Sequence, residues 1–222
     1  GTAVLILPIY DPVLLARRLT TIDILSKGRL TAGFGLGWSP DEYQVTGTPW
    51  SGKAKRMEYA LDFSEKIWNG GTVSHESAFV SMPESIFEAV PTQQPRPPIY
   101  LAAYSPAGLA RIASRADGWT PAGIPIPAMN EMYRGIQAMA ENGGRDPHDI
   151  GLIVRANCAI GEELPGNDRP IFAGSVEQVV DDVHQCAEIN ADEVFIDVQY
   201  SPDMGSFDTY LEYLDEFAQL TG

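Results

Sequence analysis

Apolar positions along the chain recur in two rhythms. Short continuous apolar runs bounded by Gly or Pro read as buried strands, and apolar residues spaced three or four apart read as one face of a helix. Ala3 to Leu7 predicts a strand. Pro12 then opens a helix through Leu25, with Leu14, Leu15, Leu19, Ile22 and Leu25 as its apolar positions and Gly28 as its stop. Leu30 to Gly35 predicts a second strand. Ala54 to Trp68 predicts a second helix with Met57, Ala60, Leu61, Ser64 and Trp68 at helical spacing, ended by Gly70-Gly71. Between Thr72 and Pro98 the rhythm weakens. Val73, Phe79, Val80 and Phe87 alternate loosely, and Pro91, Pro95, Pro97 and Pro98 follow, as in a hairpin-like insertion closed by a stiff polyproline approach. Further strands at Ile99–Ala103, Gly118–Pro121, Ile150–Ile160 and Val194–Val198 alternate with helices at Pro106–Ala116, Met129–Glu141, Val176–Ile189 and Phe207–Leu220. Ser105 and Ser175 stand at cap positions, and Pro106 suits a first helical turn.

Strands alternating with helices imply right-handed βαβ units and a parallel sheet. Two architectures satisfy that pattern, a doubly wound open sheet and a (β/α)8 TIM barrel. The reading finds six strands, each followed by a helix. A barrel needs eight, so it would require two more βα units at the front, roughly 60 to 70 residues. An open sheet would require none, and the pattern alone leaves both standing. No internal repeat, low-complexity segment or linker divides the 222 residues, which read as a single domain.

Composition narrows the function classes. At 44% apolar and 20% charged residues the chain is ordinary for a packed protein, which excludes a disordered one. No run approaches the ~18 consecutive apolar residues of a membrane span. Fifteen cationic against thirty acidic residues leave a net charge of −15. Such a surface repels phosphate backbones, and the densest basic cluster, Lys53-Ala54-Lys55-Arg56, reads as a solvated helix start. Neither nucleic acid nor a membrane is therefore expected as a partner. Cys158 and Cys186 match no metal or redox spacing and read as two buried thiols of a cytoplasmic protein. His75, His148 and His184 are each isolated, so no metal site is expected, and no Gly-x-Ser-x-Gly elbow offers a hydrolase nucleophile.

Four motifs carry candidate chemistry. Gly33, Gly35 and Gly37 alternate at the end of a strand and run into Trp38-Ser39-Pro40-Asp41-Glu42-Tyr43. Without Cβ atoms such a ridge admits either a flat ligand or a closely packed barrel layer. The spacing is not that of a dinucleotide fingerprint. Ser39 and Glu42 suggest a capping box with Pro40 in the first helical position, and Asp41 and Glu42 would repel a phosphate there. At Ala103-Tyr104-Ser105-Pro106 a small-residue strand meets a Ser-capped helix, whose start suits a phosphate or is a plain cap. Trp119 at a strand end either floors a planar ligand or packs in the core. Gly174-Ser175-Val176-Glu177-Gln178 reads as a helix cap, and Asp197 as a carboxylate facing the mouth of a barrel.

The order of these motifs resembles the luciferase-like monooxygenase family. The resemblance rests on Pro12–Ala16, Thr21–Leu30, Gly33–Trp38, Gly47-Thr48-Pro49-Trp50 with Arg56, Pro97–Tyr100, Ala116–Trp119 and Gly174–Gln178. It implies a TIM barrel of which this chain is strands three to eight, with FMN or the deazaflavin coenzyme F420 at the C-terminal mouth. The Trp38–Tyr43 ending is similar to the F420 branch, and Trp38 stands where FMN-dependent members tend to carry a phosphate-binding Arg. The resemblance further implies that Leu5 and Ile6 lie in a bulged strand behind the cofactor ring. Gly35, Leu36, Gly37, Trp38, Asp41 and Trp119 would surround the cofactor, and Ala103, Tyr104 and Ser105 would hold its phosphate. Tyr104 departs from the Gly or Ser usual there. Trp38 and Glu42 would face the substrate. The family's catalytic His or acid comes from its first two strands and has no counterpart here. The expected protein is a homodimeric oxidoreductase that uses F420 for hydride transfer to or from a small organic substrate. The alternatives are an FMN-dependent monooxygenase and a non-catalytic flavin-binding relative.

Overall fold

The computed structural model describes residues 1–77, 79–166, 169–202 and 206–221. The chain folds as two compact units, Gly1–Ala102 and Ala103–Gly222. The architecture is α/β with parallel strands, as expected for part of a luciferase-like barrel.

In the first unit β1 (Leu5–Ile6) leads through a 3-10 turn to α1 (Pro12–Ser26), then β2 (Ala32–Gly35), α2 (Pro40–Val45) and α3 (Lys53–Trp68). A two-stranded hairpin, β3 (Gly71–Glu76) and β4 (Ser81–Phe87), precedes β5 (Ile99–Ala102). β1 pairs in parallel with β2, with Ile6 opposite Gly35, and β2 pairs in parallel with β5, with Gly35 opposite Ala102. β3 and β4 pair antiparallel. The Ala3–Val4 and Gln94–Pro95 peptide bonds are cis.

α1 starts where expected, with the Asp11 carboxylate accepting the Leu14 N–H at 2.9 Å. It ends on Lys27 and Gly28, both left-handed. Its buried face corrects the sequence reading. Leu15, Ala16, Leu19, Thr20 and Asp23 are buried, whereas Leu14, Ile22 and Leu25 are 52%, 48% and 76% exposed. The inner face was less legible because two of its members are polar. Asp23 is fully buried, and its carboxylate accepts the Gln93 backbone N–H at 3.0 Å and the Gln93 side-chain amide at 2.7 Å. That pins the proline-rich approach to β5. α3 buries Met57, Ala60, Leu61, Ser64 and Trp68 as the spacing predicts, and the Trp68 indole donates to the Ala16 carbonyl at 3.2 Å.

In the second unit α4 (Pro106–Arg115), β6 (Gly118–Trp119), α5 (Ile126–Asn142), β7 (Gly151–Asn157), β8 (Ala159–Ile160), β9 (Ala173–Gly174), α6 (Val176–Glu188), β10 (Glu193–Asp197) and α7 (Phe207–Thr221) follow in order. β6, β7 and β10 form a parallel run, with Asp197 opposite Asn157. The long strand expected at Ile150–Ile160 is two. At Cys158 the chain donates its N–H to the Asp197 carbonyl at 2.7 Å, and Ala159 then turns to the Phe172 carbonyl at 2.9 Å. The partner strand β9 is two residues long and leaves no hydrophobic rhythm to read. Behind it Asp182 accepts both guanidinium arms of Arg169 at 2.7 Å each and the Phe172 N–H at 2.7 Å. Ser175 and Gln178 close a full capping box at the start of α6.

Cys158 and Cys186 are both fully buried. Burial pushes each thiol up to about 12, with nearby carboxylates adding to the rise. A folded sample at pH 8 is expected to leave both thiols unreacted with an aromatic disulfide reagent, and a denatured sample to release two equivalents. Prompt reaction of either thiol in the folded protein would contradict this placement.

Candidate active site

The two motifs nominated for a cofactor lie in different units, and each is built in its own way. In the first unit the glycine ridge is already covered by protein. A Cβ on Gly33 would fall 1.9 Å from the Thr2 carbonyl oxygen, one on Gly35 2.8 Å from Val4 Cγ2, and one on Gly37 2.9 Å from Ile6 Cγ2. The missing side chains make room for β1 and the residues leading into it. Thr2 straddles Gly33, its hydroxyl donating to the Gly33 carbonyl and accepting the Gly33 N–H, both at 2.9 Å. Leu5 and Ile6 are half-buried in β1, and Gly35 is buried at the end of β2.

Beyond Gly35 the chain turns through Gly37, at φ +69°, to Trp38, which is 88% exposed. Two side chains fix this turn, and one of them, Lys53, corrects the reading of its cluster as a solvated helix start. Lys53 donates to the Gly37 carbonyl at 3.0 Å while its ammonium lies 3.3 Å from the centroid of the Trp50 ring. The buried Tyr43 hydroxyl donates to the Leu36 carbonyl, and burial raises its pKa. Both residues lie downstream in helices, so only the folded chain shows them reaching back. The expected Ser39–Glu42 capping box is not formed. Ser39 is the N-cap residue of α2 but its side chain makes no cap hydrogen bond, and Asp41 and Glu42 point to solvent. Pro40 at the first position fixes that short helix start instead.

In the second unit the Ala103–Ser105 turn is tied down at three places. The Ser105 hydroxyl accepts the Gly108 N–H at 3.2 Å as the cap of α4. The Trp119 indole N–H donates to the Ala103 carbonyl at 3.0 Å, from a ring that is fully buried in the core. Tyr104 reaches the loop after β6, where its hydroxyl donates to the Ala122 carbonyl at 3.0 Å and accepts the Ala122 N–H at 2.8 Å. Ala122 in turn bridges Arg155 on β7, and the Arg155 guanidinium donates to the Asp197 carboxylate at the end of β10. Asp197 is the last residue of β10, where it is the counter-ion of Arg155 and an acceptor from the Gln199 amide at 2.8 Å. Among the described residues no cluster of three or more His, Cys, Asp or Glu side chains could hold a metal ion.

Two substitutions probe this geometry. Gly35→Val drives a branched side chain into Val4 and is expected to destabilise the fold by roughly 1–3 kcal/mol in chemical denaturation. Wild-type stability would mean β1 does not lie on the ridge. Tyr104→Phe removes both links to Ala122 at a half-exposed position, with an expected loss of about 1 kcal/mol. An unchanged denaturation midpoint would show that the strap contributes nothing to stability in solution.

The luciferase-like monooxygenase family matches residues 1–164. Among curated proteins, the phthiodiolone/phenolphthiodiolone dimycocerosates ketoreductase of Mycobacterium kansasii is 28% identical over 173 residues, 77% of this chain and 46% of its own length. The chain thus spans about half the length of such relatives. Among solved structures, a monooxygenase from Streptomyces bottropensis superposes with a TM-score of 0.79 at 19% identity, covering 97% of this chain and 75% of the other. An F420-dependent secondary alcohol dehydrogenase, solved with an F420-acetone adduct, gives a TM-score of 0.75 at 13% identity, covering 96% and 76%. At these identities the structures establish the shared fold, and the family match covers most of the chain. This chain belongs to the luciferase-like monooxygenase family.

Proposed function

We propose that the chain is part of an oxidoreductase that uses coenzyme F420 to move a hydride to or from a small organic substrate with a carbonyl or secondary alcohol group. The observation that carries this reading is the α4 start. Pro106 has no N–H, the Gly108 N–H goes to Ser105 and the Leu109 N–H goes to the Ser105 carbonyl. The amide of Ala107 therefore has no partner within the helix, at the positive end of the helix dipole. Trp119 and Tyr104 hold the turn from two sides, so its donors are set in place before a ligand arrives. A rigid backbone donor beside a small capping hydroxyl fits a cofactor phosphate.

F420 supplies hydride chemistry and does not readily activate oxygen, which favours reduction or oxidation at carbon over oxygenation. The similarity to a ketoreductase and to a secondary alcohol dehydrogenase supports a carbonyl–alcohol pair as the reacting group. Separately, we assign Trp38 and Glu42, both exposed beyond β2, to substrate contact. The FMN-dependent monooxygenase reading keeps the support of the similarity to a monooxygenase of the same fold.

Cofactor identity is tested by the absorbance and mass of whatever purified protein releases, followed by titration of the stripped protein with F420 and with FMN. F420 is expected to bind more tightly. Ser105→Asp keeps a good helix cap but sets a negative charge against the phosphate, so it should weaken F420 at least ~10-fold with the thermal midpoint nearly unchanged. Tighter FMN binding would transfer the reading to the monooxygenase. An unaltered Kd for both cofactors in the variant would move the phosphate away from α4.

A further inference from the structure

The first unit encloses a cavity of about 350 Å³, within the size range of small-molecule sites. It lies beside the turn that follows β1. Its walls come from the turn after β1, the Gly47–Pro49 loop, the first turns of α3, and Phe79 and Val80 between the hairpin strands. The rings of Tyr10, Tyr59 and Phe79 supply apolar surface, with Tyr59 and Phe79 centroids 5.5 Å apart.

Among the described residues two charged side chains line this cavity, Asp11 and Arg56. Asp11 is engaged as the cap of α1. The Arg56 hydrogen bonds all run through Nη2, which donates to the carbonyls of Pro49 and Ser51 and so holds the loop. Its Nε is buried without an acceptor among the described residues, and its Cζ lies 5.7 Å from the Phe79 ring centroid. Among the described residues no carboxylate forms an ion pair with it, although the chain carries thirty acidic residues. Beside it the Tyr59 hydroxyl is also buried without a hydrogen-bond partner among the described residues. A guanidinium set among aromatic rings and neutral carbonyls lacks the anion that normally accompanies a partly buried charge.

We propose that this cavity binds a small carboxylate with an aromatic or branched apolar body. Arg56 takes the carboxylate through Nη1, and Tyr10, Tyr59 and Phe79 take the body. A cationic ligand would meet the guanidinium as a like charge, and a neutral one would leave it without a counter-ion. Asp11, on the wall formed by the turn after β1, opposes the anion, which keeps affinity moderate and makes its own replacement informative. The inference stands on the first unit alone and does not depend on the cofactor proposed above.

The test uses phenylacetate as the probe and phenylacetamide as its neutral isostere, with binding read by calorimetry and ligand-observed NMR. Phenylacetate is expected to bind saturably and about tenfold or more tighter than the amide. Asp11→Asn retains a good cap and should tighten phenylacetate about threefold. Phe79→Ala, at a residue 40% exposed, should weaken it severalfold without loss of fold. Arg56→Gln should abolish binding. Because Arg56 also holds the Pro49–Ser51 loop, Arg56→Lys serves beside it, keeping the charge and part of the affinity. Absence of saturable phenylacetate binding at millimolar concentration would overturn the proposal. Equal affinity for the amide would overturn it as well, and so would an unchanged Kd in both Asp11→Asn and Phe79→Ala.

Discussion

Where β1 lies along β2, the entry to the first strand must come within contact distance of the second strand's backbone. The Thr2 carbonyl occupies the place a Gly33 side chain would take, and Val4 and Ile6 fill the places above Gly35 and Gly37. An L-residue at Gly33 would put a carbon 1.9 Å from an oxygen, a separation that only a shift of whole strands could relieve. The rest of the first unit is built outward from this contact. The parallel register of β1 on β2 accords with it, Ile6 lying opposite Gly35. At Gly37 the ridge serves a second purpose besides leaving room for Ile6. Gly37 adopts φ +69°, a conformation that suits glycine, and swings the chain out so that Trp38 meets solvent. Lys53 and Tyr43 then hold the two carbonyls before Trp38, so the exposed indole hangs from a fixed backbone.

The second unit meets a different demand. Its strands β6, β8 and β9 are two residues long, and the loops beside them would be loose if they relied on ladder hydrogen bonds alone. Side chains do the tying. Trp119 holds Ala103, Tyr104 holds Ala122, and Arg155 holds Asp197, so each loop is fastened to the next around the run of strands. Arg169 and Asp182 do the same for the segment entering β9, with the charge of each neutralised by the other before burial. Tyr104 explains itself in this setting. A Gly or Ser at that place would leave the turn free to adapt, whereas the tyrosine commits both hydrogen-bonding capacities of its hydroxyl to one residue of the neighbouring loop.

The order of elements was legible in the sequence because strand and helix rhythms alternate and because Ser and Pro mark the helix starts at Ser105-Pro106 and Ser175. α3 was legible at Met57, Ala60, Leu61, Ser64 and Trp68, since its inward positions are apolar or small, although Phe63 and Ile67 are buried there as well. α1 was less legible, since its inward face includes Thr20 and Asp23, and polarity there hides burial. The break at Cys158 was invisible for a related reason, because the residues on either side continue the apolar pattern while the hydrogen-bond partners change. At the candidate site, Ser105 could be seen in the sequence as a cap. The reach of Tyr104, Lys53 and Arg56 could not, as each acts on a loop that only the folded chain brings near. The Gly33–Gly37 motif was visible, but what filled it was not. A glycine ridge is the same signal whether a ligand or the protein's own strand lies upon it.

The strongly acidic composition argues against phosphate-rich macromolecules without arguing against small anions. Exposed charges are screened within about 8 Å at physiological salt, so the −15 of the whole chain is felt little inside a recess. What an anion meets there is local. At the start of α4 it meets a backbone amide aligned with the helix dipole and no acidic side chain in the first turn. In the first unit's cavity it meets a guanidinium whose own protein partners are neutral carbonyls. At the start of α2, by contrast, Asp41 and Glu42 occupy the first turn, and the same helix geometry turns an anion away. Helix starts of similar backbone shape therefore differ in what they accept through one or two side chains. In this chain those side chains, rather than the net charge, set the local surroundings that a small anion would meet.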